Sequence, residues 1–222
     1  MTDSDPPALA VFDLDGTLTW RDTLLPFLAG YVARNPSKLL RLWRLPGALL
    51  GYIFGGRDRG LLKSQLIKIA MGGDSRSAID AWADTFVQSL NPKHVFRQAA
   101  LTILEAHRRS GDRLVLLSAS PDLYVPRIGQ LLGFDLTICT EVEWRGEHLD
   151  GALKTPNRRG AEKLRCLQWL RSQCPGYSIY AYGNSASDLV HLGSVEWPML
   201  VNGNFLARRQ GARLRVPVGG WL

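Results

Sequence analysis

With 222 residues, 45% of them hydrophobic, and 22 glycines, the chain can bury one sizeable core and a second small one, so one or two domains fit. Three cysteines (Cys139, Cys166 and Cys174) are an odd number at no zinc-ligand spacing, and the opening MTDSDPPALA has neither a cationic nor an apolar lead; no disulfide framework or zinc site is expected, and a reduced cytoplasmic setting is. The net charge of +7 is confined to one stretch: residues 34–68 carry Arg34, Lys38, Arg41, Arg44, Arg57, Arg59, Lys63 and Lys68 against Asp58 alone, and the other 19 bases and 19 acids cancel, which does not suggest a nucleic-acid partner.

The first element is an apolar run, residues 8–12, read as a buried strand that ends in DLDGT. Helices follow over 23–34, 37–54, 57–70, 77–90 and 92–109, punctuated by Asn35-Pro36, Gly55-Gly56, Gly72-Gly73 and Asn91-Pro92. From Arg113 the texture changes. RLVLLSAS reads as a buried strand, 121–133 as a helix, 134–140 as a strand and 141–153 as a hairpin; then come a helix over 158–173, a strand over 178–185, a short helix over 187–192, a strand over 197–202 and a helical turn at 205–210. Strands alternating with helices predict an α/β fold, a Rossmann-like parallel sheet with helices on both faces. The helical block interrupts it after the first strand, giving a core of residues 1–20 and 110–222 and an inserted α-helical cap of residues 21–109. Ligands of such sheets bind beyond the carboxyl ends of the strands, which gathers Asp13, Asp15, Ser118, Asn184 and Asp188.

These tips, in order, resemble the four motifs of the haloacid dehalogenase-like hydrolase superfamily: DLDGT, Ser118 in LLSAS, Lys163 in RRGAEKL, and GNSASD. A helical cap between the first and second motifs is similar to the phosphoserine phosphatase-like branch. The resemblance implies that Asp13 is the nucleophile and Asp15 the general acid/base, in a phosphatase that passes through an aspartyl-phosphate. The chemistry agrees: a phosphate monoester is doubly anionic, so attack by a carboxylate needs cations that screen both partners. Lys163 is one, bridging Asp13 and phosphate, with Lys154 as its rival. Mg2+, which prefers hard oxygen ligands, is the other, held by Asp13, the main-chain carbonyl of Asp15, and Asn184 or Asp188. Ser118 and the amides after it, from Ala119 on, face the start of a helix and suit a phosphoryl oxygen. Gly16 permits the tight turn out of the strand. Asp22 either contacts substrate, as an acid at this place does in the branch, or caps the helix before TLL.

The fourth motif departs from the family pattern, with Asn184 where an Asp usually stands. This implies a weakened metal site or, as an alternative function, a family member that serves as a binding module. The basic, apolar segment 38–54 looks like that of certain bacterial phosphatidylglycerophosphate phosphatases. It reads in two ways: as a helix packed on its neighbours with solvated bases, or as a peripheral contact on the inner face of the membrane with Trp43, Tyr52 and Phe54 at headgroup level. The expected substrate is accordingly a phosphorylated small molecule or a phospholipid.

Overall fold

A computed structural model describes residues 8–90 and 92–221, so the opening heptapeptide and the Asn91 side of the Asn91-Pro92 break lie outside the description. Strand β1 (Ala8–Phe12) is buried along its whole length, as a strand covered on both faces must be. It is flanked by β2 (Arg113–Pro121) and β6 (Ser178–Gly183), both parallel to it. With β3 (Leu136–Thr140), β7 (Trp197–Val201) and β8 (Val218–Gly219) they form a parallel sheet in the order β3-β2-β1-β6-β7-β8. The two-residue β8 has no counterpart among the expected elements, being too short to show periodicity.

Alternation along β1 sets the two faces. Leu9 and Val11 pack with Leu167 and Leu170 of helix α8 (Ala161–Gln173), whereas Ala10 and Phe12 belong to a larger core shared with the helices inserted after β1. Those helices are α1 (Leu24–Arg34), α2 (Leu45–Phe54), α3 (Arg59–Met71), α4 (Arg76–Ser89), α5 (Pro92–Val95) and α6 (Gln98–Arg109). Phe27 of α1, Phe86 of α4 and Tyr124, after β2, make ring contacts at 4.5–5.6 Å between centroids. The insert and the sheet therefore share one apolar interior.

Two expected helices are each divided. The run 37–54 is a 3-10 stretch (Pro36–Arg44) followed by α2; Pro46 has no N–H to give Leu42, and its ring opposes that carbonyl. The run 92–109 breaks at Phe96 and Arg97, whose neighbourhood bonds to the β1–α1 connection instead: Arg97 N donates to Leu18 O at 2.8 Å and Trp20 N to Val95 O at 3.0 Å. Helix α7 (Val125–Leu131) starts later than expected because β2 extends through Pro121.

The hairpin of β4 (Val142–Arg145) and β5 (His148–Leu153) lies against α3. Contact is close at Gly151, where a Cβ would fall 2.9 Å from Lys68 Cα, and Ser64 Oγ donates to Gly151 O at 2.9 Å. The last elements are α9 (Leu189–Leu192) and α10 (Phe205–Arg213).

Candidate active site

The chain leaves β1 at Asp13, whose N–H donates to Tyr182 O on β6 at 3.0 Å, and turns at once. Gly16, at φ +82°, makes the turn, and a Cβ there would fall 2.0 Å from Asn184 Nδ2, so no larger residue fits. The turn brings the first and fourth motifs into contact.

Beneath it lies a buried triad. Lys163, in the first turn of α8, donates to Asp13 Oδ1 at 2.6 Å and to Asp188 Oδ1 at 2.8 Å. All three side chains are buried. Thr17 Oγ1 completes Asp13 with a bond to Oδ2 at 2.9 Å, and Ser185 completes Asp188 through its N–H at 2.9 Å and its hydroxyl at 2.6 Å. The carboxylates share one lysine yet shift in opposite directions. Burial pushes Asp13 up to about 6, the nearby Asp188 charge adding to this and Lys163 opposing it. Burial acts on Asp188 in the same sense but is outweighed by the Lys163 charge and by the Lys163 and Ser185 bonds, which hold it below the ordinary carboxylate range. Burial also disfavours the Lys163 ammonium, and the two carboxylates outweigh it, so Lys163 stays charged. His191, on the other side of Asp188, is pushed down to about 3 by burial and by Lys163 and is neutral.

Asp15 is held by other partners. Its Oδ1 accepts from Thr23 N at 2.8 Å and Thr23 Oγ1 at 2.7 Å, and its Oδ2 from Ser120 Oγ at 2.6 Å. Burial, followed by the charge of Asp22, raises its pKa. Thr23 precedes α1 and also bonds Tyr124 OH at 2.9 Å. The general acid/base candidate is thus tied to both the insert and β2.

Above these groups opens a cleft of about 460 Å³. Of the expected site residues, Asp13, Asp15, Gly16, Asp22, Ala119, Lys163, Asn184 and Asp188 line it. Ser118 does not: it is fully buried, and its Oγ accepts from Ser120 N at 3.0 Å. Asp22 both lines the cleft and caps α1, its Oδ1 accepting from Leu24 N at 2.9 Å. Lys154 is elsewhere, paired with Glu141 at 3.2 Å.

Sequence reasoning missed a set of cations. Arg59 and Lys63 of α3 and Arg159, before α8, line the cleft with Asn157. Among the described residues Lys63 Nζ bonds neutral acceptors, Ala119 O and, at 2.6 Å, Asn157 Oδ1. Burial pushes it down to about 8 against the pull of Asp15 and Asp22. Burial and then the neighbouring Arg59 charge lower Arg159. Arg59 and Lys63 stand four residues apart and so share a helix face, a signal that the count of total charge concealed. Ser120 and Thr23 gave no signal, because their partner Asp15 is distant in sequence or reached across a turn.

The geometry is that of a hydrolase with an acidic strand tip braced by a buried lysine. The model of the haloacid dehalogenase-like hydrolase family matches residues 10–192, and the chain belongs to that family. It is 33% identical over 184 residues to Protein CicA of Caulobacter vibrioides, a match that covers 82% of this chain and 80% of that one. A crystal structure of a protein of unknown function from Bordetella pertussis Tohama I superposes with a TM-score of 0.79 at 22% identity, over 96% of this chain and 98% of the other. The phospho-aspartyl intermediate analogue of phosphoserine phosphatase superposes with a TM-score of 0.64 at 13% identity, over 93% and 91% of the two chains. The fold is therefore that of the phosphoserine phosphatase-like branch.

Proposed function

We propose that the chain is a magnesium-dependent phosphatase that hydrolyses a small or lipid-linked phosphomonoester through an aspartyl-phosphate on Asp13. One observation carries this reading: a buried carboxylate, bridged to a charged lysine at 2.6 Å, forms the floor of a cleft whose walls hold further cations, Arg59, Lys63 and Arg159, that pair with no carboxylate among the described residues. The phospho-aspartyl analogue known for the structurally similar phosphoserine phosphatase is in keeping with it.

In the first step an Asp13 oxygen attacks phosphorus, the bond to the leaving oxygen breaks, and Asp15 gives that oxygen a proton. In the second, Asp15 takes a proton from water, which attacks phosphorus and frees phosphate and Asp13. Lys163 offsets the charge of nucleophile and phosphoryl group. Ser118 acts from beneath the cleft, its Oγ accepting from Ser120 N at 3.0 Å and so fixing the main chain at Ala119 and Ser120, which line the cleft. Lys63, Arg59 and Arg159 hold the part of the substrate beyond the phosphate.

Among the described residues no three His, Cys, Asp or Glu side chains converge as a metal cluster, but magnesium is satisfied by carbonyl and amide oxygens as well as carboxylates. Asp13, Asp15 and Asn184 line one cleft, and their side-chain and main-chain oxygens fit that preference. Asp13, the Asp15 carbonyl and Asn184 would hold the ion, with Asp188 as a further oxygen donor already engaged by Lys163 and Ser185. Bound there, the ion supplies positive charge to the phosphoryl oxygens. The triad is complete, so a weakened member serving only to bind has nothing beyond the Asn184 departure in its favour.

Turnover of p-nitrophenyl phosphate with and without magnesium, with acid-quench capture of a phosphoenzyme, tests the reading; no turnover with either ion condition sinks it. Two further results are expected. Asn184→Asp restores a negative charge and should tighten magnesium binding by about tenfold, if the added attraction nets about 1.4 kcal/mol, with turnover at saturating metal little changed. Equal activation midpoints would take Asn184 out of the metal shell. Lys63, with its pKa lowered to about 8, is a cation below that pH and neutral above it, so kcat/KM should decline as pH rises through about 8. Lys63→Arg should move this limb upward, because guanidinium keeps its proton; an unmoved limb assigns it to another group.

A further inference from the structure

The most unusual surface of the molecule is the outer face of the insert. Over the nineteen residues from Pro36 to Phe54 the 3-10 stretch has no buried residue and α2 has one, Ala48. Helices in water owe most of their stability to an apolar face packed on something. Here that face looks outward: Leu40 is 80% exposed, Trp43 74% and Phe54 82%, with Leu39, Leu49, Leu50 and Ile53 about half exposed.

The bases of the segment divide into two rows. Lys38, bonded to Asp74, and Arg41, bonded to Gly72 O at 2.7 Å, fasten the segment to the end of α3. Arg44 lies over the Trp43 ring at 5.6 Å, and it, Arg57 and Arg59 have no carboxylate partner among the described residues. Asp58, the one acid of residues 34–68, is engaged as the N-cap of α3. The face is thus apolar at its centre and cationic at its margin. Charge decides what covers it. A second copy would bring cations against cations without acids to answer them, whereas an anionic lipid surface answers both the apolar centre and the charged margin. No helix among the described residues is long and apolar enough to cross a membrane, so the contact lies in the plane of the surface.

We propose that this face docks the chain on anionic bilayers, with Trp43 and Phe54 among the headgroups. Arg59 stands five positions after Phe54, at most about 18 Å of chain, and lines the cleft. Docking therefore sets the cleft mouth beside the lipid surface; that the cleft then receives a phosphomonoester carried on a lipid rests on the phosphatase reading above.

Flotation with phosphatidylcholine vesicles, with and without about one third phosphatidylglycerol, tests the docking at low and at about 0.5 M salt. The wild type should float with the anionic vesicles at low salt, and high salt should reduce the bound fraction. Trp43→Glu/Phe54→Glu should lower it at least tenfold, and Arg44→Glu/Arg57→Glu similarly, while p-nitrophenyl phosphate turnover and circular dichroism stay at wild-type values. A wild type that does not float, or double variants that float as well as it does, overturn the proposal. So does a concentration-dependent dimer, seen by sedimentation and abolished by the Trp43/Phe54 variant, since the face then belongs to a second copy. Flotation reads binding without catalysis, so a chain that floats but hydrolyses nothing refutes the phosphatase reading and leaves the docking standing.

Discussion

Asp13→Asn should lower turnover by at least about 10³-fold, because it removes the proposed nucleophile, which acts in both steps. The amide keeps the shape and one acceptor for Lys163, and Lys163 keeps its bond to Asp188 Oδ1 at 2.8 Å. Removal of one of two carboxylates beside a single lysine also relieves a like-charge contact, the one that helps push Asp13 up to about 6. The variant should therefore be at least as stable as the wild type in magnesium-free buffer. A rapid acid quench should recover phosphoenzyme from the wild type and none from the variant. Wild-type turnover in the variant, once deamidation is excluded by mass spectrometry, would falsify the assignment.

Lys163→Met should act on both activity and stability. It leaves Asp13 and Asp188 buried without their shared cation, a situation that costs about 3–5 kcal/mol in comparable buried pairs. The loss should be visible in urea unfolding as a lower midpoint at an unchanged slope. The double variant Lys163→Met/Asp188→Asn should recover part of the stability, because one of the uncompensated charges has gone, but none of the activity. A single variant within about 0.5 kcal/mol of wild type, the usual range for surface changes, would mean that the lysine is not what holds the two acids.

The sheet and the acidic tip of its first strand were legible because their signals are local. Ala8–Phe12 is apolar on both faces, ends in two acids and is followed by glycine, and each feature has one structural meaning. Lys163 and Asp188 were legible only through the motif order: alone, a helix lysine and a loop aspartate say nothing of a triad that closes over 150 residues. What stayed hidden depends on tertiary contact. Ser118 matches its motif, yet its side chain is held under the cleft floor by Ser120 N, while Ser120 reaches Asp15. The long helix expected over 37–54 failed at Pro46, a breaker visible in the sequence but overruled by the apolar run around it. The outward-facing side of that run could not be read from periodicity, which orders residues around an axis without saying which side meets the core.

Asp15 is anchored by Thr23, at the threshold of the first inserted helix, and by Ser120, at the end of β2. Any rocking of the insert against the sheet that separates these anchors also alters how readily Asp15 parts with its proton. Leaving-group dependence follows. An aryl phosphate, whose phenolate departs unaided, would scarcely register a slack Thr23 tether, whereas an alkyl phosphate, whose alkoxide must be protonated as it leaves, would feel it in full. With Asp15 as the proposed general acid, the position of the insert would be written into the Brønsted slope of the reaction.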